Sequence, residues 1–129
     1  MAGYTTNIEK ESLENTDFRR VLYTAPNLQL VLMTLQPGEE IGVETHDHGD
    51  QFFRVEGGEG EAILDGEHHK LADGDVVVIP AGTEHNILNT SSSTPLQVYT
   101  IYTPPEHPDG TVHKTRAEAD MYEKDKHGH

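Results

Sequence analysis

The sequence contains no cysteine and few basic residues. Without cysteine, its 129 residues can form neither a disulfide nor a thiolate metal site. Nine lysines and arginines stand against 23 aspartates and glutamates, and the formal net charge is −14. Nucleic acids and anionic membranes are bound by basic surfaces, so we expect this chain to bind neither. The ordinary consequence of such an acidic surface is solubility.

Long apolar runs are also missing. No stretch approaches the roughly 20 apolar residues that a transmembrane helix needs. The first residues lack the basic segment and apolar core of a secretory signal, so we expect a cytoplasmic protein. Apolar residues make up only 33% of the chain, but they are clustered. A chain of 129 residues with this clustering predicts one compact domain with a small core.

Short apolar stretches between turn residues are present instead, and they predict β-strands. Many short strands at regular spacing are typical of a β-sandwich or barrel. A terminal helix is expected only after Thr115. Residues 1–17 are expected to form a lead-in with one strand or turn, and residues 124–129 a frayed tail. The predicted strands are 18–24, 28–35, 51–55, 61–64, 67–71, 76–79, 85–90 and 96–102, with a tight hairpin turn at Asp65-Gly66.

A glycine-rich stretch near the middle of the chain has the spacing of a known motif. It contains Gly74, Pro80, Gly82, His85 and Asn89. In the cupin family the second motif is glycine, five residues, proline, one residue, glycine, two residues, histidine, three residues and asparagine. All five positions fit without a gap, so the chain resembles a cupin.

This resemblance implies an all-β fold, the double-stranded β-helix or jelly-roll barrel. The barrel is expected over about residues 18–103, followed by a C-terminal arm over 104–129 that ends in a short helix, within one domain of residues 1–129. The chain is similar to small metal-binding cupins that are labelled sugar-phosphate isomerase-like or uronate-ring-opening.

The first cupin motif fits in spacing but not in residue types. Counting from Gly38 places Glu44 and His46 at the two histidines of the family motif. Gln51 then stands at its glutamate and Gly58 at its last glycine. In the family, these two histidines and the glutamate bind a metal ion together with the histidine of the second motif.

Carried over to this sequence, the implied metal ligands are Glu44, His46, Gln51 and His85. Residues 44 and 46 are two apart on an extended segment, so both side chains point to one face. A rival register uses His46 and His48 as the histidine pair and leaves too short a spacing to Gln51. His48 therefore stays an alternative ligand.

One carboxylate, one amide and two imidazoles form a mixed shell of oxygen and nitrogen. Such a shell suits one divalent transition metal, namely Mn²⁺, Fe²⁺, Co²⁺, Ni²⁺ or Zn²⁺, and does not choose among them. Four protein ligands on a six-coordinate ion leave two positions for substrate or water. The ion could then act as a Lewis acid or lower the pKa of bound water.

The proline-rich stretch 104–113 has two interpretations. It is either a rigid arm on the outside of the barrel or on a partner subunit, or a cap over the barrel mouth with His107, Asp109 or His113 near substrate. His68 and His69 follow the hairpin turn and are expected at the surface.

Three functions from different classes remain open. The first is a metal-dependent isomerase or lyase acting on a small sugar-like or hydroxy-keto acid molecule, with Glu44 or a metal-bound water as base. Closely similar cupins with glutamine at the glutamate position include uronate-ring-opening proteins. The second is a metal-dependent dioxygenase, and the third is a non-catalytic module that binds a small polar molecule.

Because an open jelly roll leaves sheet edges, we also expect a homodimer, with Phe18, Val21, Leu22 and the proline arm as contacts.

Overall fold

A computed structural model describes residues 3–127, and their side chains as far as residue 122. Within that part of the chain, nine strands and two short helices follow one another. In chain order they are α1 (Ile8–Glu14), β1 (Arg19–Thr24), β2 (Gln29–Leu35), β3 (Asp50–Gly57), β4 (Glu59–Leu64), β5 (Glu67–Ala72), β6 (Val76–Ile79), β7 (His85–Asn89), β8 (Leu96–Thr103), β9 (Val112–His113) and α2 (Arg116–His127).

The strands form two antiparallel sheets. The larger has the order β6-β3-β8-β2-β1-β9 and the smaller the order β5-β4-β7. Main-chain bridges between Glu40 and Leu88 and between Glu44 and His85 add the segment before β3 to the smaller sheet. This architecture confirms the predicted jelly-roll barrel, including the two strands and intervening turn expected within residues 74–89.

The core lies on the inner face of the larger sheet. Along β8, Leu96, Val98, Thr100 and Tyr102 are buried while the residues between them are partly exposed, because consecutive side chains of a strand point to opposite faces. The register of β2 and β3 against β8 places Met33 opposite Val98 and Phe53 opposite Thr100 on this face. The apolar core therefore fills the barrel interior.

Glycine is required at two of the turns. In the β4–β5 hairpin both Asp65 and Gly66 have positive φ, 48° and 82°, as in the type I′ turn that the dipeptide predicts. Gly58, the last glycine of the first motif, has φ 91°, and a Cβ placed there would lie 2.3 Å from the carbonyl oxygen of Pro95. A larger residue at position 58 would therefore push β3 away from the chain that precedes β8.

The lead-in contains a helix, so the expectation of a strand or turn there was wrong. Asn7 caps α1 by accepting a hydrogen bond from the main-chain N–H of Lys10 at 3.0 Å. Glu9 and Glu11 add negative charge to the first turn, where it favours helix formation. At only seven residues, α1 is too short to show an apolar period in the sequence.

The predicted C-terminal helix is confirmed. The prediction of a frayed tail over residues 124–129 was wrong for residues 124–127, because α2 continues to His127. Residues 128 and 129 lie outside the described residues. Ala119 on α2 is buried in the core, and the Arg116 side chain donates a hydrogen bond to the main-chain carbonyl of Glu40. No helix in residues 3–127 is long and apolar enough to cross a membrane.

Two of the expected dimer contacts are wrong. Phe18 and Val21 are 2% and 7% exposed and belong to the core of their own chain, so they cannot contact a partner. Val21 lies in β1 and Phe18 directly precedes it, and β1 is flanked on both sides, by β2 and by β9.

Candidate metal centre

The two motif segments lie side by side at one end of the barrel. The N–H of Glu44 donates to the carbonyl of His85 at 2.9 Å, and the N–H of His85 donates to the carbonyl of Glu44 at 2.9 Å. The N–H of Gly82 donates to the carbonyl of His46 at 2.8 Å. This antiparallel pairing places the side chains from two distant parts of the sequence opposite each other.

Three of the implied ligands form one cluster. A carboxylate oxygen of Glu44 and one ring nitrogen each of His46 and His85 lie within 4.8 Å of one another. The two imidazole ring centres are 5.3 Å apart. These separations are close enough for the three atoms to bind one ion after small side-chain rotations.

Buried atoms in this cluster lack hydrogen-bond partners. The Nε2 atoms of His46 and His85 and the Oε1 atom of Gln51 are all buried and unpaired. Buried polar atoms are normally satisfied, so this set of unpaired atoms fits a site that binds a cation.

The tautomer of His85 is set by its neighbour. Its Nδ1 lies 2.9 Å from the carbonyl oxygen of Thr83. A carbonyl only accepts, so Nδ1 carries the proton and Nε2 keeps a lone pair. A main-chain carbonyl on the second ring nitrogen is typical of histidines that bind metals.

Gln51 is held in place beside the cluster by a row of polar side chains across the larger sheet. Gln29, Tyr102 and Gln51 are directly opposite one another on β2, β8 and β3, and all three are buried. Gln51 Nε2 donates to the hydroxyl of Thr100 at 3.0 Å, which leaves its Oε1 unpaired. The ring of Tyr102 lies 5.9 Å from that of His46 and connects this row to the cluster.

His48, the alternative ligand, is placed differently. Its side chain is exposed and lies in the wall of a cavity of about 230 Å³ next to the cluster. It is not part of the group formed by Glu44, His46 and His85. The cavity is lined by Thr45, His46, Asp47, His48, Gly49, Asp50, Tyr102, Pro104 and Glu106.

The proline arm forms one wall of that cavity, which agrees with the interpretation as a cap. Gln29 fixes the arm: its Nε2 donates to the carbonyl of His107 at 2.7 Å, and its Oε1 accepts from the N–H groups of Glu106 and His107. A carboxylate oxygen of Glu106 consequently lies 3.7 Å from Nδ1 of His46.

The remaining histidines have separate surroundings. His107 packs edge-on against Tyr102, with ring centres 5.3 Å apart, so it is near the cavity as the cap interpretation requires. His113 is buried against Arg19, and Asp109 is exposed and does not line the cavity. His68 and His69 are exposed, as expected, where they contact glutamates of the hairpin.

Burial controls the protonation of two groups at the site. It raises the pKa of the Glu44 carboxyl above its ordinary value, although the charges of His46, Arg19 and His85 oppose this. Burial also raises the pKa of the Tyr102 hydroxyl, which therefore stays protonated and can donate a hydrogen bond.

The sequence did not single out Arg19 or Tyr102, and it left the Glu106 carboxylate without a role. The alternation of inward-facing and outward-facing residues along the strands could have identified Arg19 and Tyr102. Arg19 is two residues from Val21 in β1, and Tyr102 is two residues from Thr100 in β8, so both have the parity of inward-facing side chains. The contact of Glu106 depends on the path of the arm, which no local pattern encodes.

Comparison with known proteins identifies the family. Residues 31–102, more than half of the chain, match the profile described as the cupin domain. The chain belongs to the cupin family. This cupin is 43% identical over 122 residues to YrkC, an uncharacterized protein of Bacillus subtilis (strain 168), with 90% of the chain and 65% of that relative covered. The chain thus spans slightly less than two thirds of that relative's length.

A shorter similarity connects this cupin with a named enzyme. It is 33% identical over 78 residues to quercetin 2,3-dioxygenase of Bacillus subtilis (strain 168), covering 60% of the chain and 23% of that protein.

Solved structures agree with the fold. The crystal structure of BH2720 from Bacillus halodurans is 45% identical, has a TM-score of 0.89, and covers 92% of this cupin and 93% of that chain. The structure of KdgF from Halomonas sp. is 26% identical, has a TM-score of 0.63, and covers 68% of this cupin and 78% of that chain.

Proposed function

We propose that this cupin binds one divalent transition metal through Glu44, His46, Gln51 and His85. The observation that carries the proposal is the set of three buried, unpaired atoms, His46 Nε2, His85 Nε2 and Gln51 Oε1, beside the carboxylate of Glu44. When bound, Mn²⁺, Fe²⁺, Co²⁺, Ni²⁺ or Zn²⁺ would supply Lewis acidity to a substrate oxygen.

The function that this arrangement supports best is an isomerase or lyase acting on a small sugar-like or hydroxy-keto acid molecule. Such reactions move a proton to or from a carbon next to a carbonyl group. The Glu44 carboxylate or a metal-bound water would serve as the base that accepts this proton.

Tyr102 and Glu106 support the same chemistry from the cavity wall. The Tyr102 hydroxyl stays protonated and can donate a hydrogen bond to a substrate oxygen as negative charge develops there. The Glu106 carboxylate contacts His46 on the side away from its unpaired nitrogen and so orients the ring. Pro104 and Glu106 of the arm line this side of the cavity.

Two measurements test the proposal. The first is the metal content of protein purified without an affinity tag, together with mass spectrometry of any bound small molecule. About one divalent ion per chain is expected.

The second measurement is proton exchange in D₂O without oxygen, using a panel of hydroxy-keto acids and uronic acids. Metal-loaded wild type should incorporate deuterium next to the carbonyl of at least one compound, and Glu44→Gln should not. A metal-loaded protein that exchanges none of them would contradict the isomerase or lyase.

The dioxygenase is the second candidate, and the similarity to quercetin 2,3-dioxygenase favours it. It requires oxygen consumption. An oxygen electrode therefore separates the two candidates: uptake that depends on substrate supports the dioxygenase, and turnover in the absence of oxygen supports the isomerase or lyase. Binding without turnover in either assay would support the third function, a non-catalytic module.

A further inference from the structure

The segment that carries Glu44 and His46 contains a β-bulge. Main-chain bridges pair Glu40 with Leu88 and Glu44 with His85, both antiparallel. The two bridged positions are four residues apart on this segment but three residues apart on β7. The segment therefore contains one extra residue between its two bridges, which defines a bulge.

The bulge decides which face Glu44 takes. His85 and Leu88 are three residues apart in β7, so their side chains lie on opposite faces of the smaller sheet. Residues directly opposite each other in an antiparallel pair share a face, so Glu40 is on the face of Leu88. Glu44 is on the face of His85 for the same reason. In a regular strand, residues 40 and 44 would share one face, so without the extra residue Glu44 would point away from His85.

Asn86 closes the gap that the bulge leaves in the main-chain hydrogen bonds. The N–H groups of Ile41 and Glu44 donate to main-chain carbonyls of β7, both at 2.9 Å. The N–H of Gly42, between them, donates instead to Oδ1 of Asn86 at 2.9 Å. Nδ2 of Asn86 donates to a carboxylate oxygen of Glu40 at 3.2 Å. Asn86 is 5% exposed, so an apolar residue in its place would leave the N–H of Gly42 without this partner.

Arg116 of α2 contacts the same bulge. Its guanidinium donates a hydrogen bond to the main-chain carbonyl of Glu40. A Cβ added at Gly42 would lie 3.3 Å from Nη2 of Arg116, so the guanidinium packs against the bulge. Its Nε donates to Oδ1 of Asp120 at 3.2 Å, and Ala119 anchors the helix in the core. Helix α2 therefore fixes the position of the guanidinium.

We propose that Asn86 and Arg116 are positioning residues that hold this bulge and so direct Glu44 and His46 toward His85. The inference rests on the proposed metal site, because it assigns the residues that set the geometry of its ligands. Neither residue belongs to the ligand cluster or lines the cavity, so each acts through the segment that carries the ligands. Loss of a group that orients metal ligands typically weakens metal binding by about 10- to 100-fold.

Hydrogen exchange of the metal-free protein tests the bulge directly. Asn86→Leu should accelerate exchange of the Glu44 and His85 amides at least about tenfold, because these two residues bond to each other next to the bulge. Asn15→Leu is the matched control, since Asn15 is also buried and donates to Oγ1 of Thr34 at 2.9 Å. It should lower the melting temperature without a selective effect on the two amides. Any result other than selective acceleration in Asn86→Leu would overturn the proposal.

Arg116→Met is the second variant, and it decides the matter if Asn86→Leu does not fold. It should accelerate the same two amides, weaken Co²⁺ binding at least about tenfold and shift the absorption bands of bound Co²⁺, which report the ligand geometry. Arg116→Lys keeps a donor for the carbonyl of Glu40 and should recover most of the affinity and the wild-type spectrum. Arg20→Met, at an exposed arginine of β1, should leave affinity and spectrum unchanged.

The two readouts separate this inference from the metal site on which it rests. Wild-type affinity, spectrum and exchange in Arg116→Met would overturn the inference, and so would a complete lack of recovery in Arg116→Lys. If wild type binds no Co²⁺ at all, the proposed metal site fails, and the exchange of the Glu44 and His85 amides still decides whether Asn86 and Arg116 hold the bulge.

Discussion

At the scale of single residues, the site depends on side chains whose polar atoms are buried without partners. His85 and His46 each have one ring nitrogen directed at a neighbouring oxygen and the other left unpaired. This arrangement costs free energy in the metal-free protein, because a buried unsatisfied polar group destabilises by about 1–3 kcal/mol. Ion binding would recover that cost.

His85→Ala should remove most of the bound metal. Its Nε2 is one of the unpaired atoms of the cluster, and no other residue of the segment 74–89 belongs to that cluster. His48→Ala is the matched control and should retain nearly all the metal, because His48 lies outside the cluster. Metal analysis of both variants decides between the two registers. Loss of metal in His48→Ala with retention in Glu44→Ala would make His46 and His48 the true pair.

Metal affinity should fall as the pH drops, because a protonated imidazole of His46 or His85 cannot bind an ion. The raised pKa of Glu44 acts in the same direction, since its carboxyl takes up a proton at a higher pH than an exposed glutamate does. Titration of Co²⁺ absorbance at several pH values measures this. An affinity independent of pH between 5 and 8 would exclude histidine ligands.

Glu44→Gln should stabilise the metal-free protein at pH 7. The pKa of Glu44 is raised by burial in the folded state, so its contribution to stability is fully present below 4.5 and is lost as the pH rises through the raised value. The amide avoids this loss, and the melting temperature should rise by a few degrees. Added metal should stabilise wild type but not the variant. Asp47→Asn removes an exposed carboxylate of the same segment. It should change neither the melting temperature of the metal-free protein nor that of the metal-loaded protein.

At the scale of elements, one buried amide binds the arm to the barrel beside the cavity. Gln29, fully buried in β2, makes four hydrogen bonds, to Thr24, to the N–H of Glu106, and to both the N–H and the carbonyl of His107. A single side chain from the barrel thus makes three hydrogen bonds to the part of the arm next to the cavity.

Gln29→Leu should loosen the arm. It leaves main-chain groups of Glu106 and His107 without partners, a loss of about 2 kcal/mol or more. Hydrogen exchange of these two amides should accelerate strongly while that of β8 changes little. Gln97→Leu is a matched control, because Gln97 is partly exposed and donates one bond to the carbonyl of Leu13 far from the arm. Unchanged exchange in Gln29→Leu would show that the prolines alone fix the arm.

At the scale of the whole molecule, the edge strand β6 favours a homodimer. It has a neighbour, β3, on one side only, and its outward residues Val76 and Val78 are 51% and 62% exposed. Exposed apolar edge strands associate unless they are covered. We therefore propose that a second copy of the chain packs on β6. Phe18 and Val21 are buried and are not part of this contact.

Val78→Lys should convert this dimer to monomer at micromolar concentration, with a dissociation constant at least about tenfold weaker, about 1.4 kcal/mol. The variant places a charge on the covered face. Met121→Lys on α2 replaces a similarly exposed apolar residue elsewhere and should leave the dimer intact. Sedimentation measures both, and a monomeric wild type would refute the dimer.

Local patterns in the sequence predicted eight of the strands, the turns and three members of the cluster. Alternation of side chains and turn residues are local properties, so eight of the strands were predicted within about two residues of their bounds. Motif spacing identified Glu44, His46 and His85, because the antiparallel pairing of two motif segments fixes which side chains meet.

Contacts that form on folding bring other side chains close to that cluster. Arg19, Tyr102 and Glu106 come from β1, β8 and the arm, and their distance in sequence from the motifs hides the contact. Helix α1 and strand β9 were also missed: one depends on a cap at Asn7 and the other on pairing with β1. The physical reason is the same in each case. Local sequence patterns predict the face of a strand on which a side chain lies. The burial of a site and the charges around it depend on elements that meet only after folding.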